Sequence, residues 1–312
     1  MLAGVILLLA GTSSSPQVQL APLIAARGAV LAAEVDRPEA FHRTHLAVTG
    51  ELAPPPRVVL GVTTTSPVVA LTFDLDMNAG MAAAARSGAV WINKDALSYL
   101  KTHNVRATLF MTGMWAEVYP ALARELATNS NFEIGDHSYS HPAFHTPCYR
   151  LEGVSRAEQA RQIQMAQDAI QRAAGVLPRY FRFPGGCYDR QALDLVHAAG
   201  LIPVQWNVNS IDAFNNYPAQ IAATVLSAVR PGSIVVMHLH GRANAPSTGA
   251  ALRLIIPELE RRGYEFVTIG ELLAAGTAIQ PTDPREISEF SQPPARWCGW
   301  VYGPNGRDWV CR

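Results

Sequence analysis

The chain has 312 residues, with 25 basic and 25 acidic side chains and a formal net charge of zero. With no bulk field to draw it to nucleic acid or anionic lipid, a protein held to a polyanion by net charge is excluded. The length suits one large α/β domain, or a domain of about 200 to 250 residues with extensions.

Met1 to Ala10 is apolar and precedes Gly11-Thr12-Ser13-Ser14-Ser15. Residues 1–32 read as an export leader that lacks the usual positive start, with cleavage after Thr12 or Ala32. The apolar run is too short to span a bilayer comfortably, so no stable membrane insertion is expected after the leader is removed. Residues 33–66 are Pro-rich, including Pro54-Pro55-Pro56, and predict a lead-in over the surface in which His42 and His45 are solvated.

From Val68 the pattern turns regular. Val68 to Phe73 predicts a buried strand that delivers Asp74, Leu75 and Asp76 at its end. A Gly/Ala-rich insertion over 78–88 follows, then a helix over 93–103, a strand over 107–111, a helix over 115–128 and a strand over 132–134. A long polar helix over 156–174 leads into Arg179-Tyr180-Phe181-Arg182-Phe183-Pro184. Helix 190–199, strand 202–208 and helix 218–229 come next, the last stopped by Arg230-Pro231-Gly232. Strand 234–237 carries His238; helix 249–262 and strand 265–268 complete the series. Strands alternating with helices imply a parallel sheet with right-handed crossovers, and about seven such units suggest a closed barrel. An open doubly wound sheet is the alternative, but no Gly-rich phosphate loop follows the first strand.

Asp74, Asp76, His137, His141, Arg182, Asn209, Asp212 and His238 all fall at predicted strand ends, where a parallel barrel gathers its chemistry. His137 and His141 are four apart, so one turn of helix would put both imidazoles on one face, a donor pair suited to a divalent metal. Asp74 and Asp76 point to one side of an extended strand. One would complete a two-His-one-carboxylate site while the other takes a proton from water. Arg182 would pair with the base carboxylate and fix its orientation. His238 ends an apolar strand, where a general acid is a reason for a polar residue. His240 lies on the same side two residues further out and ranks lower. Cys148, Cys187, Cys298 and Cys311 suit an oxidising compartment. Three pairings exist, and closeness in sequence favours Cys298 with Cys311 and therefore Cys148 with Cys187.

The series Leu71-Thr72-Phe73-Asp74-Leu75-Asp76, Asn104 to Gly113, His137-Ser138-Tyr139-Ser140-His141, Arg179 to Gly186, Trp206 to Asp212 and Ser233 to His238 resembles, in order, the polysaccharide deacetylases of the NodB-homology type, carbohydrate esterase family four. The resemblance covers roughly Val68 to Leu273 and places a catalytic domain over 67–275. It implies an α/β fold, a distorted (β/α) barrel of about seven strands, and metal-dependent hydrolysis of N-acetyl groups on chitin-like or peptidoglycan aminosugars. Asp74 would be the base, Asp76, His137 and His141 the metal ligands, Arg182 the holder of the base and His238 the acid. Gly185 or Gly186 would offer an oxyanion N–H, and Trp206, Asn209 and Asp212 would lie at substrate-binding positions. The cofactor would be a divalent metal, Zn²⁺ first, with Co²⁺, Ni²⁺ or Mn²⁺ as alternatives. The partner would be a polysaccharide or oligosaccharide and not nucleic acid, the chain a monomer that is secreted, periplasmic or cell-wall associated.

Three positions depart from the family pattern. Leu75 separates the two aspartates, so Asp76 as metal ligand would require the strand end to bulge or turn. Asn209 stands where an Asp usually faces the acid His, which should lower the His238 pKa unless Asp212 substitutes. Ala213, followed by Phe214, stands where a Trp often lines the acyl pocket. Residues 276–312 read as an aromatic tail, with Trp297, Trp300 and Trp309 either stacking on sugar or packed by a cysteine pair. Two other functions remain in play: an O-acetyl esterase on xylan, whose alcohol leaving group needs less help from His238, and a catalytically weak wall-binding protein.

Overall fold

A computed structural model describes residues 58–240 and 245–281, and the backbone alone over 298–303 and 306–311. The leader and the first part of the Pro-rich lead-in, His42 and His45 included, lie outside the described residues.

In chain order the elements are β1 (Gly61–Thr63), β2 (Val68–Leu75), α1 (Ala79–Arg86), α2 (Lys94–Thr102), β3 (Ala107–Met111), α3 (Gly113–Val118), α4 (Pro120–Thr128), β4 (Phe132–Asp136) and α5 (Arg156–Ala174). They continue as β5 (Tyr180–Phe181), a 3₁₀ turn over Pro184–Gly186, α6 (Arg190–Ala198), β6 (Ile202–Pro203), β7 (Val208–Asn209), α7 (Pro218–Ala228) and β8 (Ser233–His238). The last are α8 (Thr248–Arg261), β9 (Glu265–Phe266), α9 (Ile269–Ala274), β10 (Thr277–Ile279), β11 (Cys298–Gly303) and β12 (Gly306–Cys311).

β2 is the central stave. All eight of its residues are buried, as a parallel strand covered on both faces requires. It pairs in parallel with β3, from Leu71 opposite Ala107 to Leu75 opposite Met111, and with β8, from Val69 opposite Ser233 to Asp74 opposite His238. β3 pairs β4 up to Met111 opposite Asp136, and β4 pairs β5 at Asp136 and Phe181. The carboxyl ends of these strands therefore form one rim.

The sheet curls back on itself. β6 pairs β5 while β7, four residues later, pairs β8, so the segment 202–209 leans across the seam. At the opposite end the gap is filled by Val59, bridged to Val204, and by Gly61, paired with Ser233. From Val58 on, this corrects the reading of 33–66 as surface lead-in: Val58, Val59 and Val62 are buried and belong to the barrel. Their short apolar run was hidden between Pro54-Pro55-Pro56 and Thr63-Thr64-Thr65. β10 pairs antiparallel with β1, so the sheet also takes in the first residues of the expected tail. β9 reaches only Val68 and Val69 of β2 and does not run up the barrel.

Local chemistry sets most helix ends. Asn93, Ser155 and Asp189 accept hydrogen bonds from the backbone N–H three residues on, and Gly175 ends α5 in the left-handed region. The single helix expected over 115–128 is broken at Tyr119, because Pro120 has no N–H to donate and starts α4 instead. β11 and β12 form a hairpin whose register sets Cys298 opposite Cys311; the side chains there, the tail tryptophans included, lie outside the described residues.

Cys148 and Cys187 are disulfide-bonded across 39 residues, tying the loop after β4 to the turn after β5. Closing a loop of that length in the unfolded chain corresponds to about 4 kcal/mol in the chain-entropy description. A Cys148→Ser, Cys187→Ser double variant should therefore melt about 10 °C lower in calorimetry. An unchanged melting temperature would show that the bridge contributes nothing to stability.

Candidate active site and metal centre

Six side chains converge on the rim. Asp74, in the last turn of the pleat of β2, presents Oδ1 to Arg182 Nη1 at 2.8 Å and Oδ2 to His137 Nε2 at 3.6 Å. Asp76, two residues on, places Oδ1 3.3 Å from His137 Nε2 and Oδ2 3.6 Å from His141 Nε2. No bulge is needed: pairing of β2 stays in register to Leu75, and the pleat brings Asp76 to the same side as Asp74.

His137 and His141 are not on a helix. They sit on a loop in which Ser138 and His141 both adopt positive φ, 65° and 64°. Ser138 N–H donates to Asp136 Oδ1 at 2.8 Å, His141 N–H to Ser138 Oγ at 3.1 Å, and Ser140 N–H to Gln162 Oε1 at 2.8 Å. Those bonds do what a helical ladder would otherwise do. Asp136, unremarked in the sequence, is the anchor of the loop; its burial pushes the carboxyl up to about 8.

A cation fits this cluster. His137 Nδ1 lies 2.9 Å from the Arg182 carbonyl, which can only accept, so Nδ1 carries the hydrogen and Nε2 faces two carboxylates. A bare lone pair facing two anions is repulsive unless a positive charge lies between them. Among the described residues, Asp76 Oδ1 is buried without a hydrogen-bond partner. Burial opposes a charged His137, yet Asp74 and Asp76 outweigh it and raise its pKa. At His141 burial dominates and pushes the pKa to about 4, leaving the neutral imidazole a ligand requires. One potential ligand atom from each of Asp76, His137 and His141 lies within 4.8 Å of the others.

Arg182 is fully buried. Besides Asp74, its Nε and Nη2 point at the carbonyls of Val204 and Gln205 at 3.4 Å, and the guanidinium lies between Phe110 and Trp206, 4.1 and 5.5 Å from their ring centroids. Trp206 thus backs the arginine. Opposite, His238 Nδ1 contacts Asp212 Oδ1 at 2.7 Å, and His238 N–H donates to Asp212 Oδ2 at 2.9 Å. Thr248 and Ser210 hydroxyls donate to the same carboxylate at 2.7 and 3.0 Å. Burial disfavours the imidazolium, but Asp212 outweighs it and lifts the His238 pKa to about 9.

The expected weakening of His238 by Asn209 therefore does not occur. Asp212 supplies the negative charge, and Asn209 instead accepts from Ile211 N–H at 2.9 Å, shaping the turn that delivers Asp212. Asp212 is fully buried, with its carboxylate engaged by His238, Thr248 and Ser210. Thr248 was missed because it lies ten residues past His238 at the start of a helix with no motif of its own. Gly186 spends its N–H on the Phe183 carbonyl at 2.8 Å. Gly185 has φ 61°, and a Cβ there would lie 2.7 Å from Cys148 Sγ and 3.1 Å from the Tyr149 ring. Tyr149 stacks on Phe214 at 5.5 Å between centroids, beside the position where the family's Trp is replaced by Ala213. His240, ranked low in the sequence, is buried with Nε2 2.9 Å from Asp76 Oδ2.

A curled (β/α) barrel with aspartates, histidines and a buried arginine on its carboxyl rim defines the NodB-homology class. The polysaccharide deacetylase profile matches residues 61–204. The chain is 33% identical over 173 residues to a peptidoglycan-N-acetylglucosamine deacetylase of Bacillus cereus, 55% of this chain and 60% of that one. It is 31% identical over 176 residues to a chitooligosaccharide deacetylase of Azorhizobium caulinodans, 53% of this chain and 80% of that one. Among solved structures, a peptidoglycan N-acetylglucosamine deacetylase bound to an N-oxidanyl-benzamide is similar with a TM-score of 0.61 and 27% identity over 72% of this chain and 96% of that one. An acetyl xylan esterase of Clostridium thermocellum with cobalt (0.54, 29%, 70% and 96%) and a family pseudoenzyme of Bacillus anthracis (0.58, 27%, 70% and 69%) are also similar. The chain belongs to the polysaccharide deacetylase family, carbohydrate esterase family four. It spans less than two thirds of the B. cereus relative's length.

In Asp212→Asn the imidazole of His238 should titrate near or below its ordinary 6.5 instead of about 9. Imidazole NMR over a pH series reads this directly. An unchanged value of about 9 would show that Asp212 is not the source of the shift.

Proposed function

We propose that the chain is an exported, metal-dependent hydrolase that removes N-acetyl groups from aminosugar polymers. One observation carries the reading: the Asp76–His137–His141 cluster lies between an arginine-held aspartate and an aspartate-held histidine on a single rim. Asp76, His137 and His141 hold the divalent ion, with Zn²⁺ the first choice for this donor set and Co²⁺, Ni²⁺ or Mn²⁺ as alternatives. When bound, the ion supplies Lewis acidity to the acetyl carbonyl and to the attacking water.

The chain's own residues do the rest. Arg182 occupies Oδ1 of Asp74, which leaves Oδ2, on the His137 side, to take the proton from water. His238 has Nδ1 committed to Asp212, so the proton for the leaving amine comes from Nε2. With a pKa of about 9 the acid is charged at neutral pH, which suits an amine that must be protonated to depart. Gly186 N–H is already used, so Gly185 N–H is the backbone donor for the oxyanion. Buried Trp206 and Asp212, and the turn-forming Asn209, support this set from behind.

The esterase alternative rested on a weak acid. With Asp212 under His238 that motive is gone, and amide hydrolysis is favoured. Kinship with deacetylases of peptidoglycan and chitooligosaccharides supports an aminosugar substrate, and the leader and disulfide support a secreted, periplasmic or wall-associated location.

Acetate release from chitooligosaccharides and peptidoglycan fragments should exceed that from acetylxylan; the reverse order, or sugar binding without acetate at any metal loading, overturns the reading. His137→Ala and Asp76→Asn should lose metal together with turnover. Asp74→Asn should keep metal, measured by elemental analysis, while kcat falls about 10²- to 10⁴-fold. Reversed phenotypes for the two aspartates would exchange their roles.

A further inference from the structure

His240 is the polar side chain of the rim that the proposed reaction leaves without a task. It is 2% exposed, and among the described residues neither ring nitrogen has a hydrogen-bond partner. Its Nε2 lies 2.9 Å from Asp76 Oδ2, close enough to attract but not aligned to hydrogen-bond. A buried imidazole with both nitrogens unsatisfied is costly unless something else engages it. Its neighbour is His238, whose ring centroid is 5.0 Å away. One potential ligand atom from each of Asp76, His238 and His240 lies within 4.8 Å of the others, a second two-His-one-carboxylate set that shares Asp76 with the first.

We propose that Asp76, His238 and His240 form a second divalent-cation site, and that filling it inhibits the enzyme. The donor chemistry is that of a borderline ion such as Zn²⁺. Inhibition follows from the atoms available. His238 Nδ1 is held by Asp212, so Nε2 is its only atom for either task. A cation bound there occupies the one lone pair on which His238 could carry a proton to the leaving amine. The two uses exclude each other.

The second ion is the weaker one. Asp76 offers one negative charge to both ions, and the carboxylate of Asp74 is already matched by Arg182. An ion entering beside another therefore meets repulsion that the shared carboxylate only partly offsets. Activity should rise with metal concentration while the first site fills and fall as the second does.

This inference rests on the first metal site described under Proposed function, and a single binding experiment separates the two. Apo protein is dialysed against a Zn²⁺ series and bound zinc is counted by elemental analysis, for the wild type, His240→Asn and His137→Ala. The wild type should reach two ions per chain, the second bound at least about tenfold more weakly than the first. His240→Asn should stop at one and lose the falling limb of the activity profile. A wild type that saturates at one ion, removed by His137→Ala, overturns the second site and keeps the first. Two ions in His240→Asn also overturn it, and a wild type that binds none sinks both. The wild-type count decides even if a variant fails to fold.

Discussion

Arg182 is a guanidinium with no contact with solvent, and the rim is arranged around what that costs. Moving such a charge out of water is expensive unless a counter-charge and further acceptors receive it. Asp74 is the counter-charge, and the Val204 and Gln205 carbonyls with the Phe110 and Trp206 faces complete the shell. The same residue works through its backbone: its N–H donates to the Asp136 carbonyl and its own carbonyl receives His137 Nδ1–H. One residue thereby ties the ends of β2 and β4 to the segment that closes the barrel. It also fixes which nitrogen of His137 faces the carboxylates.

Around this anchor the rim holds one residue type in two different environments. Burial, helped by the neighbouring His137 and His240, holds His141 near 4 against the pull of Asp76, a neutral ring with a free lone pair. His238 is buried as well, but Asp212 reverses the effect and holds it near 9, a ring with a proton to give. The largest difference is the Asp212 carboxylate, kept in place by the hydroxyls of Ser210 and Thr248. Divergent environments for like groups are how one cavity runs acid and ligand chemistry side by side.

Much of this was legible in the sequence, because parallel strands end at one level and strand ends can be read from apolar runs. Asp74, Asp76, His137, Arg182 and His238 could be placed on a common rim for that reason. What escaped depends on chain paths outside regular elements. The His137–His141 spacing suggested a helix, whereas two left-handed residues and the Asp136 carboxylate build a loop. Asp212 was overshadowed by Asn209, since only the turn between them shows which side chain reaches His238. His240 was set aside by extrapolating β8 beyond its end, where the imidazole instead meets Asp76. Val58 to Thr63 were lost because their apolar residues are few and lie between segments rich in Pro and Thr.

Gly185 bears on how the rim could be remodelled. Its left-handed backbone tolerates few residues, and the space its side chain would take is filled by Cys148 Sγ, Tyr149 and Leu151. Any larger residue there must dislodge the bridge or the Tyr149 ring, so this wall of the groove is closed to stepwise variation. Phe214 stacks on the same Tyr149 ring, and its N–H donates to the Ile211 carbonyl at 3.0 Å, so the restraint extends to the turn before it. A library meant to alter which acyl group or sugar is accepted has little room at the glycine turn.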